Sequence, residues 1–162
     1  MINTTGTGVV NVDGSTGLGA QFENVTVNGN LRQNNSEDGT VTGTFNLDGT
    51  WEMNSIGTAT VLNVNGGVTL DGNGTIDMSN NTQNRIVSDG ADITIGNNFT
   101  IVGAGQLGLN NSGLINNGTI QNDQANSLTI DPSAGGTGFV NNGTLELLGA
   151  GDINIGNGDT QN

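Results

Sequence analysis

Apolar and polar side chains alternate along most of the chain in short bursts, each closed by glycine or asparagine. One series runs Leu62, Val64, Val68, Leu70, Ile76 and Met78, and it is answered by Ile93, Ile95, Phe99, Ile101, Leu107 and Leu109 at an offset of 31 residues. Period two is the spacing of half-buried strands, and the intervening Gly and Asn supply turns. Apolar residues three and four apart, which a helix would need, are missing. The chain is therefore expected to be all-β, with three short strands in each repeat.

The same strand-and-turn phrase opens at Val10 to Gly14 (VNVDG), Val25 to Gly29 (VTVNG) and Leu62 to Gly66 (LNVNG). The phrase Gly43 to Leu47 returns at Gly74 to Met78 and at Gly105 to Leu109, again 31 apart. Past Asn110 the offset becomes 25: Gly113 to Ile120 returns as Gly138 to Leu145, and Leu128 to Ile130 as Ile153 to Ile155. Periods of this length, with several strands each, are the mark of a β-solenoid. Residues 1–162 are read as one solenoid domain of roughly five or six coils of about 25 to 31 residues, about 25 to 30 Å long at the parallel-strand spacing. Equivalent positions then stack into ladders. Asn116 over Asn141 and Asn117 over Asn142 are the specific ladder candidates, since stacked asparagine amides hydrogen-bond along an axis. The polar run Arg32 to Gly39 (RQNNSEDG) reads as a projecting loop, and Gly156 to Asn162 as a polar closing segment. No amphipathic helix offers a cap at either end, so the piece is expected to belong to a longer array or to stack head to tail with copies of itself.

Composition narrows the chemistry. Hydrophobic residues make up 31% of the chain, below the usual globular share, with 29 Gly and one Pro. Low apolar content alone would suit disorder, but a disordered chain has no reason to keep aliphatic residues in phase. A net charge of −13, with two basic residues against fifteen acidic ones, argues against nucleic acid and anionic membranes as partners. No apolar run is long enough to span a membrane.

With no His, Cys or Lys, the chain lacks the usual general base, the thiolate and the amine that activates Ser or Thr. An enzyme is not expected, and no catalytic, cofactor-binding or metal residue is assigned. Paired carboxylates are the remaining possibility: Asp71 with Asp77, Asp89 with Asp92, and Glu37 with Asp38. Each pair reads first as solvated wall or turn residues. Calcium at Asp89 and Asp92 is a lesser reading, because hard oxygens suit that ion but the spacing of a calcium loop is absent. Trp51, Phe22, Phe45, Phe99 and Phe139 have the parity of core residues. Arg32 and Arg85 are expected at the surface, each able to meet a carboxylate. A threonine face of the ice-binding kind is not supported, because Thr-x-Thr spacings are irregular.

The phrases NNGTI at Asn116 to Ile120, NNGTL at Asn141 to Leu145 and VTVNGNL at Val25 to Leu31 resemble the repeats of large exported bacterial surface proteins. These are the autotransporter passenger domains and the adhesins of the filamentous-haemagglutinin type. The resemblance implies a single-stranded right-handed parallel β-helix, a bacterial extracellular or cell-surface setting, and a role as stalk, adhesin or matrix fibre. The function expected first is a structural module whose coils stack end to end, partnered by itself or by adjacent repeats. The second is an adhesin module that binds glycan or a host surface protein. A polysaccharide-degrading β-helix comes third, because the chain resembles pectinase and tailspike folds but lacks the His and basic cluster of the polygalacturonase pattern.

Overall fold

In a computed structural model, which describes residues 1–4, 6–14, 19–133 and 136–156, the strands follow one another without an intervening helix. Of the expected closing segment, 157–162 lie outside the described residues. In chain order the strands are β1 (Ile2–Asn3), β2 (Val9–Val12), β3 (Ala20–Asn28), β4 (Asn30–Asn34), β5 (Asp38–Asp48), β6 (Thr50–Asn54), β7 (Thr60–Val64), β8 (Thr69–Asp71), β9 (Thr75–Met78) and β10 (Asn84–Val87). They continue as β11 (Ile93–Ile95), β12 (Thr100–Gly103), β13 (Gly105–Leu107), β14 (Leu114–Asn116), β15 (Thr119–Asn122), β16 (Leu128–Ile130), β17 (Phe139–Asn141), β18 (Thr144–Leu147) and β19 (Ile153–Ile155).

Every pairing is parallel and joins a strand to one a full winding away, which makes the chain a β-solenoid of about six turns. Three faces result. The first carries β1, the second half of β3, the second half of β5, then β8, β11, β14 and β17. The second is a seven-stranded sheet, in axial order β2, β4, β6, β9, β12, β15 and β18. The third carries the first halves of β3 and β5, then β7, β10, β13, β16 and β19. β3 and β5 bend across the corner between the third and first faces, which joins those faces into one twelve-stranded sheet.

The core is a set of columns running along the axis. On the second face Leu31, Trp51, Ile76, Ile101 and Ile120 stack in register, and all are fully buried. Trp51 packs against Phe22 and Phe45 with ring centroids 5.2 and 5.8 Å away and tilted planes, an arrangement that adds to plain area burial. Phe99 is buried as well, while Phe139, in the last tier, is only partly covered.

The register corrects two expectations. The 25-residue offset is a true axial step, since Leu114 pairs with Phe139, Ile120 with Leu145 and Leu128 with Ile153. The 31-residue offset is not. Leu62 pairs with Ile86, Leu70 with Ile95 and Ile76 with Ile101, and the steps range from 19 residues (Phe22 to Val41) to 25. An offset of 31 carries a strand up one coil and on by one face: β7 to β11, β8 to β12, β9 to β13. All three faces obey the same alternation and turn chemistry, so the pattern matches even though the faces differ. The three opening phrases likewise fall on three different faces, in β2, β3 and β7.

The second correction concerns Arg32 to Gly39, which is no projecting loop. β4 and β5 enclose a tight turn at Asn35 and Ser36, where Ser36 takes a left-handed φ of 71°. Gln33 points inward and is fully buried; its amide donates to the carbonyls of Glu37 and Val61, and its oxygen accepts from Trp51 Nε1 at 3.1 Å. Satisfied in this way, a polar residue occupies the core at little cost.

Candidate functional site

Three features of the described residues are candidates for function: the asparagine corners, the acidic side chains and the last tier. At the corner between the first and second faces, Asn116 ends β14 in register with Asn141 at the end of β17. Asn116 is fully buried. Its Nδ2 donates to Asn141 Oδ1 at 2.7 Å and to the Thr144 carbonyl at 3.0 Å, while its Oδ1 accepts from the Gly118 amide at 3.1 Å. On the outside of the same corner, Asn142 Nδ2 donates to Asn117 Oδ1 at 3.0 Å. One ladder is internal and the other faces solvent.

Two more buried asparagines work in the same way and were not singled out in the sequence. Asn84 accepts from the Ser55 amide at 3.1 Å and donates to the Ala104 carbonyl at 3.2 Å. Asn122 accepts from the Gln124 amide at 3.0 Å and donates to the Asp152 carbonyl at 3.0 Å. The available signal was an Asn at a strand end on the inward parity, where a turn leaves backbone groups unpaired.

The first acidic pair separates. Asp71 ends β8 on the first face and Asp77 lies in β9 on the second, so the structure does not bring them together. Asp77 instead sits one rung from Glu52. Its carboxyl is raised above the ordinary range by partial desolvation, then by the charges of Asp123 and Glu52. Glu52 is held from its other side by Arg32, whose Nε lies 2.6 Å away at a partly exposed position.

Asp89 and Asp92 are both taken up by turns. Asp89 Oδ1 accepts from the Gly66 and Ala91 amides at 3.2 and 3.4 Å, and the first of these bonds chiefly lowers its pKa. Asp92 accepts from the Thr137 hydroxyl and amide. Glu37 accepts from the Gly14 amide at 2.5 Å, and burial raises the neighbouring Asp38 carboxyl. Among the described residues no three or more carboxylates gather in a way that could hold a metal ion. Among the described residues Arg85 meets the Gln83 side chain, at 2.7 Å, and no carboxylate.

The second face also carries an outward column of Thr50, Thr75, Thr100, Thr119 and Thr144, all in register. Unequal coil lengths hid it from the sequence. The neighbouring outward column holds Glu52, Asp77, Val102, Gln121 and Glu146, so no Thr-x-Thr grid forms.

The last tier is the largest departure from a closed fold. On β17, β18 and β19 the inward residues Phe139, Leu145 and Ile153 are only partly covered, and Leu147 and Ile155 are 52% and 53% exposed. Among the described residues nothing pairs with the outer edges of these strands. In the first tier, by contrast, Val12 and Phe22 are buried and Val10 is 36% exposed.

The geometry defines a β-solenoid without a metal cluster among its described residues. No protein-family model, curated protein or solved structure matches the chain. Among the described residues no helix is long and apolar enough to cross a membrane.

Proposed function

We propose that the chain is a structural module of a bacterial extracellular surface protein or filament, in which coils stack end to end and no reaction is catalysed. The observation that supports this is the last tier, where three strand edges and the half-exposed Leu147 and Ile155 lie at one end of the axis. An unpaired edge over an apolar core templates another strand. The composition agrees, since without His, Cys or Lys the usual nucleophile–base sets are missing and only carboxylates remain. The extracellular setting rests on the resemblance of the NNGTI, NNGTL and VTVNGNL phrases to exported surface repeats.

A partner coil from a second copy, arriving head first, continues the columns already present. The inward column Val10, Leu31, Trp51, Ile76, Ile101, Ile120 and Leu145 would place the next copy's Val10 over Leu145 and its Val12 over Leu147. The outward Glu146 would meet Asn11. A tail-to-tail pair would instead set Glu146 near its own copy and repel.

The chain has no cysteine, which makes a crosslinking test clean. Strands about 4.8 Å apart lie within disulfide range. Oxidising the double variant Val10→Cys, Leu145→Cys should give an open ladder of covalent multimers, while each single variant stays monomeric. Covalent dimers from Leu145→Cys alone would show tail-to-tail pairing. No multimers from the double variant, together with discrete globules in micrographs of the native assembly, would remove the proposal.

A further inference from the structure

The corner where the third face turns into the first changes along the axis. In β3 it is one residue, Asn24, at a left-handed φ of 51°. In β5 it is a bend at Gly43, φ 70°. From β7 onward the corner becomes a turn that leaves the wall, first 65–68, then 88–92 and 108–113.

The step between the tight and the extended corners leaves a groove of about 360 Å³ on the first face, under the turn that carries Gly66 and Gly67. Thr26, Asn46 and Asp71 occupy three successive rungs of its wall, and Thr44, Thr69 and Gly67 complete its rim. The amide of Gly66 is held by Asp89 of the next turn, and the space beside it is open: a Cβ added at Gly66 would meet no atom within 4 Å.

The lining selects a ligand class. Among the described residues Thr26, Asn46 and Thr69 engage no partner through their side chains. Asp71 spends Oδ1 on the Gly72 amide at 2.9 Å, which leaves Oδ2 as an acceptor. Donors and acceptors are thus both on offer. Anionic ligands are disfavoured, because the two basic residues stand elsewhere, Arg32 on the second face and Arg85 on the third, and the chain carries −13. Apolar ligands are disfavoured by the rim, because Phe45, the aromatic residue of the floor, is 2% exposed. What remains is a ligand dense in hydroxyl groups, which donate to a carboxylate and accept from an amide. The three rungs span about 10 Å, the length of a short oligosaccharide.

We propose that this groove binds a neutral glycan, held by Asn46 and Asp71 with the threonine hydroxyls at its edges. The site lies on a side wall and does not depend on end stacking.

The test uses the intact chain with cellotriose, maltotriose, mannotriose and chitotriose at about 1 mM, the weak end of measurable affinity. Binding is read by saturation-transfer NMR and calorimetry. At least one trisaccharide should bind. Asn46→Leu and Asp71→Asn should each weaken it about tenfold, what one hydrogen bond to a charged or amide partner is worth, with melting unchanged. The proposal falls if none of the four gives transfer, if transfer persists undiminished in both variants, or if a trigalacturonate or a tri-lysine peptide binds better than all four.

Discussion

Replacing Asn116 by Ala separates an internal ladder from an external one. The amide of Asn116 makes three hydrogen bonds from a fully buried position: to Asn141 Oδ1, to the Thr144 carbonyl and from the Gly118 amide. Asn141 and Thr144 lie toward solvent and can turn to water, but the Gly118 amide is buried and loses its acceptor. A typical hydrogen bond contributes about 0.5–1.5 kcal/mol net, and a buried orphaned group costs about 1–3 kcal/mol. Together these put Asn116→Ala at about 2–4 kcal/mol. Asn142→Ala removes the exposed bond to Asn117 and should stay within about 0.5 kcal/mol, as surface changes do. Urea unfolding gives both numbers from the shift in midpoint at unchanged slope. Solenoids can unfold tier by tier, so amide exchange at Gly118 is the second readout, and it should accelerate in Asn116→Ala alone. Equal costs for the two variants, or an unchanged Gly118 amide, would refute the claim that burial decides what a ladder is worth.

Trp51→Ala should cost about 3–5 kcal/mol, the usual range for emptying a large aromatic site; it also strands the buried Gln33 oxygen, and a drop no larger than that of an exposed substitution in thermal melting would contradict the packing described. The raised carboxyl of Asp77 means that the folded state holds this proton to higher pH than the unfolded chain does. Stability therefore falls as pH rises through the window above the ordinary carboxyl range. Asp77→Asn should flatten the melting temperature across that window, whereas a melting profile identical to wild type would contradict the desolvation assigned to this carboxyl. Leu147→Asn with Ile155→Asn removes two half-exposed side chains from the last tier; full burial of each is worth about 1.5–3 kcal/mol, so covering the exposed half gives about 1.5–3 kcal/mol together. On the end-stacking proposal, self-association read by sedimentation should weaken about 10- to 150-fold, and an unchanged constant would place the contact elsewhere.

The alternation of apolar residues was enough to read strands, inward parity and the burial of Trp51, because a strand wall shows its two sides at successive positions. Columns were legible where coil length held constant, as for Leu128 and Ile153. Where it varied, three chemically equivalent faces allowed a match that was one face out, which is how Leu62 came to be set against Ile93 instead of Ile86. Gln33 could not be recognised as a core residue, since its partners are carbonyls on β5 and β7 and an indole one rung away. The carboxylates misled for a related reason: Asp71 and Asp77 are near in sequence but on different faces, while Glu52 and Asp77 are far apart in sequence and stacked. The groove has no sequence signature at all. It arises from the difference between one corner and the next, a property of stacked coils and not of any single segment.

That stacking also makes charge directional. Each outward side chain has axial neighbours about 4.8 Å away, close enough for like charges to cost energy. Along the second face the outward column reads Asn11, Arg32, Glu52, Asp77, Val102, Gln121 and Glu146. Its one adjacent acidic pair, Glu52 with Asp77, has Arg32 bonded to Glu52. The walls as a whole carry a strong negative excess, which repels any copy that approaches side on. Single exposed apolar residues on the walls, Ile56 and Leu109, stand on separate turns, whereas Leu147, Leu148 and Ile155 gather on the last tier. Salt therefore distinguishes two modes of association. Lateral contact between acidic walls should strengthen as the charges are screened, while axial contact through an apolar tier, with Glu146 facing Asn11, should change little. On the end-stacking proposal, sedimentation of wild-type chain at low and at high salt should give nearly the same association constant, and a steep rise with salt would assign the contact to the walls.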